Sequence, residues 1–366
     1  VKKCFGLIVA VTTLAHGAPA LAQASLTGDR MLGIDVIDRL DSAGLEAGKV
    51  HRFWFRASDT ALGQTWLVPV IVVRGSEDGP RLLLTAGVHG DELNGIDVIQ
   101  QLANRIDPAR LKGTLTMVPG ANTPALNNGT RLFTPRGGTD GDNLNRVMPG
   151  ANDLTSSLSR AYAYRLWHDL FIRNADRMID LHTQSRGTAY NLYAFVSSPE
   201  AREIAEAIAP DTLRLDPGQR GTVENEMVPR GIPAITLELG APEIFDAAMN
   251  ARVLDGITRL MERMAMLPAG SAPAATTTPF VANRLNVVRA TDSGWARLLV
   301  GLNDRVSEGQ PIATISDAFG RTLVTLTAPV SGQVTTIATD PRTQQGDMLM
   351  RIGWWDDDPA CAAGCD

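Results

Sequence analysis

The chain is short of the residues that would make it a disulfide scaffold, a nucleic-acid binder or a membrane protein. It has three cysteines in 366 residues: Cys4 near the start, and Cys361 and Cys365 in the last few positions. None is placed to staple a core. Lysine and arginine form no basic run and the formal net charge is −6, which argues against nucleic acid as a partner. The apolar run at residues 5–14 is too short to cross a bilayer. Histidine is scarce as well, and with five in the chain each can be weighed separately.

What is present is ordinary for a soluble globular protein, with 44% apolar and 20% charged residues. The length suits one large domain and a small one. The first stretch reads as a secretory signal: Lys2 and Lys3, the apolar run, then Ala22-Gln23-Ala24 as the cleavage site before Ser25. Residues 1–24 are expected to be removed and the product to be periplasmic or secreted, with no stable membrane anchor. Cys4 sits too early to carry a lipid after cleavage. In an oxidising compartment Cys361 and Cys365 can pair, although so short a loop gains little; free thiols are the other reading.

Extended runs at 51–55 and 66–73 are expected strands, the second nearly all apolar, with Pro69 pointing to a sheet edge or a bulge. Further strands are expected at 114–118, 177–182, 191–196 and 232–239. Helices are expected at 155–175, after the Ser198-Pro199-Glu200 start, and at about 242–266. This alternation predicts a layered α/β sheet over residues 25–266. Residues 119–150 form a Gly/Asn/Pro-rich loop of a length that is either functional or disordered. Residues 267–279 read as a linker, 280–353 as short β runs between Gly turns, and 354–366 as an acidic tail.

The chemistry centres on Thr85-Ala86-Gly87-Val88-His89-Gly90-Asp91-Glu92-Leu93-Asn94-Gly95. It follows Leu82-Leu83-Leu84 and precedes the helical spacing Ile96, Ile99, Leu102, Ile106. His89 and Glu92 are thus expected to leave a strand and enter a first helical turn, on one face, where they can grip one ion. Such a pair alone is a weak signal. Asp180-Leu181-His182-Thr183 delivers another imidazole at a strand's carboxyl end, the edge where open α/β sheets bind ligands. His51 and His168 are expected to be packed or solvated instead. His89, Glu92 and His182 make a ligand set that leaves one tetrahedral position for water, whose pKa zinc lowers to about 7. Glu238, ending an apolar strand in Thr236-Leu237-Glu238-Leu239-Gly240, is the expected general base, the alternative being a strand-end Glu turned to solvent. Arg131, Arg136, Asn145 and Arg146 in the long loop suit an anionic amide substrate, unless they are simply solvated.

GVHGDELNG, NLNRVMPG, DLHT and TLELG, in this order, resemble the succinylglutamate desuccinylase/aspartoacylase family of the zinc carboxypeptidase clan. The resemblance covers Arg81 to about Met266, and by domain pattern continues to Gly353. It implies a zinc-carboxypeptidase-like mixed sheet flanked by helices, with one zinc per chain on His89, Glu92 and His182. By the same similarity Glu238 activates water, and Asn145 and Arg146 hold a substrate carboxylate. Gly129-Thr130-Arg131 fits the context of the family's carbonyl-polarising Arg, but an insertion lets Arg136 take that role instead. The family usually has Asp-Leu-Asn-Arg where this chain has Asn143-Leu144-Asn145-Arg146, which puts in question a contact made by that Asp, although Asp142 is adjacent.

The last part resembles the small all-β lipoyl/biotinyl-like barrel at the end of many relatives. A carrier domain needs a lysine at its hairpin tip, and no lysine occurs after Lys112. The domain is expected to narrow the active-site mouth, or to pack against another subunit in a homo-oligomer. The chain is therefore expected to be a zinc-dependent hydrolase deacylating an N-acyl amino acid, with Glu238 and Arg131 catalytic. A carboxypeptidase trimming peptides or cell-wall stems is the alternative within the clan. A periplasmic binding protein without catalysis is the alternative of another class.

Overall fold

The computed structural model describes residues 24–59, 62–133, 143–153 and 155–365. The expected leader lies outside them except for Ala24, which begins the first strand. β1 (Ala24–Met31), β2 (Ile34–Leu40), β3 (Lys49–Asp59), β4 (Thr65–Arg74) and β5 (Glu77–Ala86) come first. α1 (Asn94–Arg105), β6 (Lys112–Val118), α2 (Thr123–Asn128), α3 (Leu158–Arg165) and β7 (Arg177–His182) follow. Next are β8 (Thr188–Tyr190), β9 (Leu192–Val196), α4 (Pro199–Ile208), β10 (Thr212–Leu215), α5 (Val223–Met227), β11 (Ala234–Leu239) and α6 (Ala247–Arg263). The rest is β: β12 (Phe280–Ala282), β13 (Arg284–Arg289), β14 (Gly294–Leu298), β15 (Arg305–Val306) and β16 (Pro311–Ser316). It closes with β17 (Thr322–Thr327), β18 (Gly332–Ala338), β19 (Arg342–Thr343) and β20 (Met348–Trp354).

Eleven strands form one mixed sheet in the order β1-β2-β3-β4-β6-β5-β7-β11-β9-β10-β12. Its centre, β6-β5-β7-β11, is parallel, and β11 meets β9 antiparallel. The central strands are buried on both faces, as continuous apolar runs require. Leu82 and Leu84 pack into the core under α1, α4 and α6, while Leu83 packs into the opposite core with α3 and α5. Helices thus cover both faces. No helix among the described residues is long and apolar enough to cross a membrane.

Local signals account for most helix ends. Ser198 accepts from the Ala201 amide with Pro199 in the first turn, as expected. α6 starts at Ala247, later than expected, because Asp246 caps it by accepting from the Ala248 and Met249 amides. The helix expected over 155–175 is α3, capped by Ser157, continued by a π-helical stretch Leu166–Phe171.

β3 is flanked by β2 and β4, but β2 pairs only with Trp54 and Phe55, so His51 has a strand on one side alone, opposite Val72. β4, which holds Pro69, is internal too. However, β6 pairs only with Ile71–Arg74, so Pro69 sits where β4 has a neighbour on one side, opposite Trp54.

The C-terminal part forms two antiparallel sheets, β13-β20-β18-β15 and β17-β16-β14-β19, around a core containing Ile312, Ile315, Val334 and Ile352. Its expected start at residue 280 is crossed in both directions. β12 pairs parallel with β10 and completes the large sheet, while β8 leaves the large unit to pair with β18. Arg351 on β20 donates to the Tyr190 hydroxyl at 2.7 Å, and Asn191 donates to Asn303 at 2.7 Å. Residues 267–279 lie along α6, held by Ala272 N to Glu262 at 2.6 Å and by Arg259 to the Pro273 carbonyl at 3.0 Å. The two parts are interlocked rather than strung together. A chain ended at residue 279 removes the β18 partner of β8 and one of the two neighbours of β10. It should unfold at a clearly lower temperature than the full chain, whereas an unchanged melting temperature would show that these pairings contribute nothing.

Candidate metal centre and active site

The parallel strands β5, β7 and β11 end side by side, and register places their polar residues in line. Thr85 is opposite Asp180, Asp180 opposite Thr236, and His182 opposite Glu238. Side chains alternate along a strand, so these five residues share the face of Leu83 and Met178. Their neighbours Leu84, Ile179, Leu181, Ile235 and Leu237 point into the other core. A cavity of about 470 Å³ opens on the polar face, lined by His89, Glu92, Arg131, Arg146, His182 and Glu238 among others.

His89 and Glu92 do not stand on a helix, which is a correction to the spacing argument. α1 begins only at Asn94. The pair is joined by a turn in which the Glu92 amide reaches the His89 carbonyl at 3.4 Å. A turn brings residues three apart together just as a helix does. Gly90 permits it, because a Cβ there would lie 2.1 Å from the Ala125 carbonyl carbon. The loop is therefore pressed onto the backbone of α2, with the Gly90 amide donating to the Thr130 carbonyl at 2.8 Å.

Glu92 lies between two imidazoles. Its Oε1 is 2.9 Å from His89 Nδ1 and its Oε2 is 2.8 Å from His182 Nδ1, and all three residues are buried. The far nitrogens are occupied: His182 Nε2 lies 2.7 Å from Asp180 Oδ2, and His89 Nε2 lies 3.2 Å from Asn143 Oδ1. Asn143 Oδ1 also accepts from the Asn145 amide, so that atom is the acceptor oxygen. Each imidazole thus gives its Nε2 proton away from the site, and in its neutral form turns an Nδ1 lone pair toward the carboxylate.

Two lone pairs facing one carboxylate need a positive charge between them. Without a metal, a proton can serve at His182: burial opposes the charged form, but Asp180 and Glu92 outweigh it and hold its pKa well above the ordinary value. At His89 burial wins and the pKa is lowered in spite of Glu92. Its Nδ1 is left buried without a hydrogen bond. Burial likewise pushes the Glu92 carboxyl up, and the two imidazoles more than reverse that, leaving it well below the usual carboxylate range. Glu92 also accepts from Arg131 at 2.8 Å, Thr183 N at 3.1 Å and Ser185 Oγ at 3.3 Å. His89, Glu92 and His182 offer ligand atoms all within 4.8 Å of one another, and the orphaned nitrogen fits a cation at their centre.

Glu238 is buried, and its Oε2 has no hydrogen-bond partner. Burial, and then the Glu92 charge, push its pKa up to about 8, against the pull of His182, Arg131 and Arg351. The solvent-turned alternative for this Glu is thereby excluded. Arg131 reaches Glu92 and Ser185. Arg146 and Asn145 line the cavity, with the Arg146 guanidinium donating to the Asn145 carbonyl at 2.6 Å. Asn145 Oδ1 accepts from the Val223 amide at 2.9 Å, tying this loop to α5. Arg136 and Asp142 lie outside the described residues. His51 bonds the Glu46 carbonyl and His168 packs on Tyr164, both away from the centre.

Three further residues belong to the site. Asp180 stands two positions before His182 on a strand and so shares its face. Asn143 keeps the oxygen contact to His89 that was in question, with an amide oxygen doing what a carboxylate oxygen would. Glu224, on α5, lines the cavity and carried no sequence signal.

The model of the succinylglutamate desuccinylase/aspartoacylase catalytic domain matches residues 78–264, which contain every side chain of the centre described above. The chain is 29% identical over 280 residues to N-alpha-acetyl-L-2,4-diaminobutyric acid deacetylase of Halomonas elongata, covering 69% of this chain and 74% of that protein. It is 28% identical over 217 residues to succinylglutamate desuccinylase of Pseudomonas paraeruginosa, covering 55% and 62%. Among solved structures, the product-bound ectoine utilization protein EutE of Ruegeria pomeroyi superposes with a TM-score of 0.73 at 21% identity, over 84% of this chain and 96% of that one. The succinylglutamate desuccinylase/aspartoacylase of Rhodobacter sphaeroides gives 0.71 at 24% identity, over 84% and 97%. These two show the shared fold.

Two outcomes follow from the geometry. Asp180→Asn removes the charge behind His182 and should weaken metal affinity by roughly 10- to 100-fold in a chelator competition titration; unchanged affinity would contradict the orienting role. In the metal-free protein, folded Glu238 keeps its proton up to about pH 8 while the unfolded chain releases it near 4.5. Ionisation thus favours the unfolded state increasingly across that window. Glu238→Gln should therefore gain melting temperature over the parent as pH rises from 5 to 8, and a constant difference would contradict the raised pKa.

Proposed function

Because the chain belongs to the succinylglutamate desuccinylase/aspartoacylase family, we propose that it is a zinc-dependent hydrolase that removes the acyl group from an N-acyl amino acid. The observation that carries this reading is the buried Glu92 carboxylate shared by two imidazoles, beside an unpartnered Glu238. The curated relatives are a deacetylase and a desuccinylase, which supports amide deacylation. A cavity of about 470 Å³ suits a small acylated amino acid.

His89, Glu92 and His182 would hold the metal, two nitrogens and one oxygen being a donor set suited to zinc. When bound there, zinc supplies a Lewis acid that polarises the acyl carbonyl and makes water more acidic. Glu238, whose buried Oε2 is unpartnered on the cavity wall beside the metal ligands, is placed to accept a proton and give it back. It takes the proton of the attacking water as the new carbon–oxygen bond forms. It then delivers that proton to the leaving nitrogen as the carbon–nitrogen bond breaks. Arg131, which donates to Glu92, would stabilise the oxygen on which negative charge develops. Arg146 and Asn145 bind the carboxylate of the amino-acid half. The Cys361–Cys365 disulfide supports an oxidising, secreted or periplasmic location.

The test is chemical. The purified chain should hold one zinc, and His89→Ala should lose it. Glu238→Gln should keep zinc and fold while kcat on N-acyl amino acids falls by roughly 10²-fold or more. Near-parent turnover in the zinc-loaded Glu238→Gln protein would move the proton transfer to another group.

A further inference from the structure

One buried cation, Arg214, joins the segment after β20 to the cavity. It stands on β10, is 1% exposed, and its Nη2 donates to the Cys365 carbonyl. Its Nε lies 3.9 Å from Asp216 Oδ2, and its Nη1 makes no hydrogen bond. A buried guanidinium needs its acceptors, so the Cys365 carbonyl and Asp216 share its charge between them.

What holds that carbonyl is the Cys361–Cys365 disulfide, which closes a loop too short to contribute much to global stability. Its effect is local, on a segment beyond the last strand that frays unless it is tied down. The Cys365 amide donates to the Asn283 carbonyl at 2.8 Å, and the buried Asn283 side chain donates to the Cys361 carbonyl at 3.0 Å. Gly364 lies against the end of β10, where a Cβ would come within 2.2 Å of the Leu215 carbonyl oxygen.

β10 leads directly into the cavity wall, which Asp216, Gly218, Gln219, Arg220 and Thr222 all line. Asp216 Oδ1 accepts from the Gly218 amide at 2.8 Å and shapes the first turn of this segment. Gly221 is pressed onto the loop bearing Arg146, since a Cβ there would lie 2.3 Å from the Arg146 carbonyl oxygen. The Met148 amide also donates to the Gly221 carbonyl at 3.1 Å. Without the Cys365 carbonyl, Asp216 is left as the acceptor facing Arg214. Closing the 3.9 Å gap then draws Asp216 away from the Gly218 turn.

We propose that Arg214, held by the disulfide-closed segment 361–365, is a positioning residue for substrate binding. Through Asp216 it sets the 216–222 wall against which the Arg146 loop packs. This rests on the deacylase reading, with Arg146 holding the substrate carboxylate. The disulfide then acts on substrate affinity, and neither on the metal nor on proton transfer by Glu238.

The experiment uses the zinc-loaded full chain and its best substrate from a panel of N-acetyl and N-succinyl amino acids. Cys361→Ser/Cys365→Ser should keep one zinc and a kcat within about twofold, while KM rises roughly fivefold or more. Arg214→Met should raise KM similarly, Arg214→Lys should retain part of the affinity, and adding the serine pair to Arg214→Met should raise KM no further. An unchanged KM in the serine variant, even with a lowered melting temperature, would overturn the proposal. Effects that multiply in the combined variant would overturn it too. If Arg214→Met does not fold, the serine pair alone decides. If nothing in the panel is hydrolysed, the deacylase reading fails and hydrogen exchange at the Gly218, Gly221 and Thr222 amides takes over. Faster exchange there in the serine variant keeps the link from disulfide to wall, whereas unchanged exchange removes it.

Discussion

The structure turns on one buried carboxylate, Glu92, shared by two imidazole nitrogens whose rings are oriented from behind by Asp180 and Asn143. Asp180 and Asn143 claim the Nε2 protons of His182 and His89, so that in the neutral rings both Nδ1 lone pairs converge on Glu92. In a buried site such an arrangement persists only if other groups fix it and a cation relieves it. The Thr183 amide, Ser185 and Arg131 all donate to Glu92 and keep it charged and immobile. Glu238 then carries the consequence, because the Glu92 charge adds to burial in raising its pKa.

Holding such a contact requires a stiff frame. β5, β7 and β11 lie side by side with both faces buried, which fixes where their carboxyl ends fall. Gly90 presses the His89–Glu92 turn onto α2, and Asn145 ties the arginine loop to α5. The C-terminal sheets belong to this frame. The β8–β18 pairing joins them to the segment between β7 and β9, and Arg351 contributes positive charge felt by Glu238.

Much of the centre was legible because its residues break a pattern. Glu238 is a charge in a strand that is otherwise apolar, and His89 and His182 follow apolar runs at which a sheet must end. The turn bearing His89 and Glu92 was misread as helix because both structures bring residues three apart together. Asp180 could have been found from strand alternation alone. Glu224 could not, since tertiary packing alone carries α5 to the cavity. The exchange of β8 and β12 between the two parts was equally hidden, because three-residue strands have no periodicity to read. Pro69 misled in part: the strand is internal, yet its proline occupies the stretch that lacks a second neighbour.

A crystal structure of the zinc-loaded protein with anomalous data at the zinc edge would test the central claim most directly. The account predicts one strong peak bound to Nδ1 of His89 and of His182 at about 2.0–2.1 Å, with Glu92 as the oxygen ligand. Asp180 and Asn143 should still face the Nε2 atoms. A peak elsewhere, ligation through the Nε2 atoms, or no ordered zinc at all would contradict it.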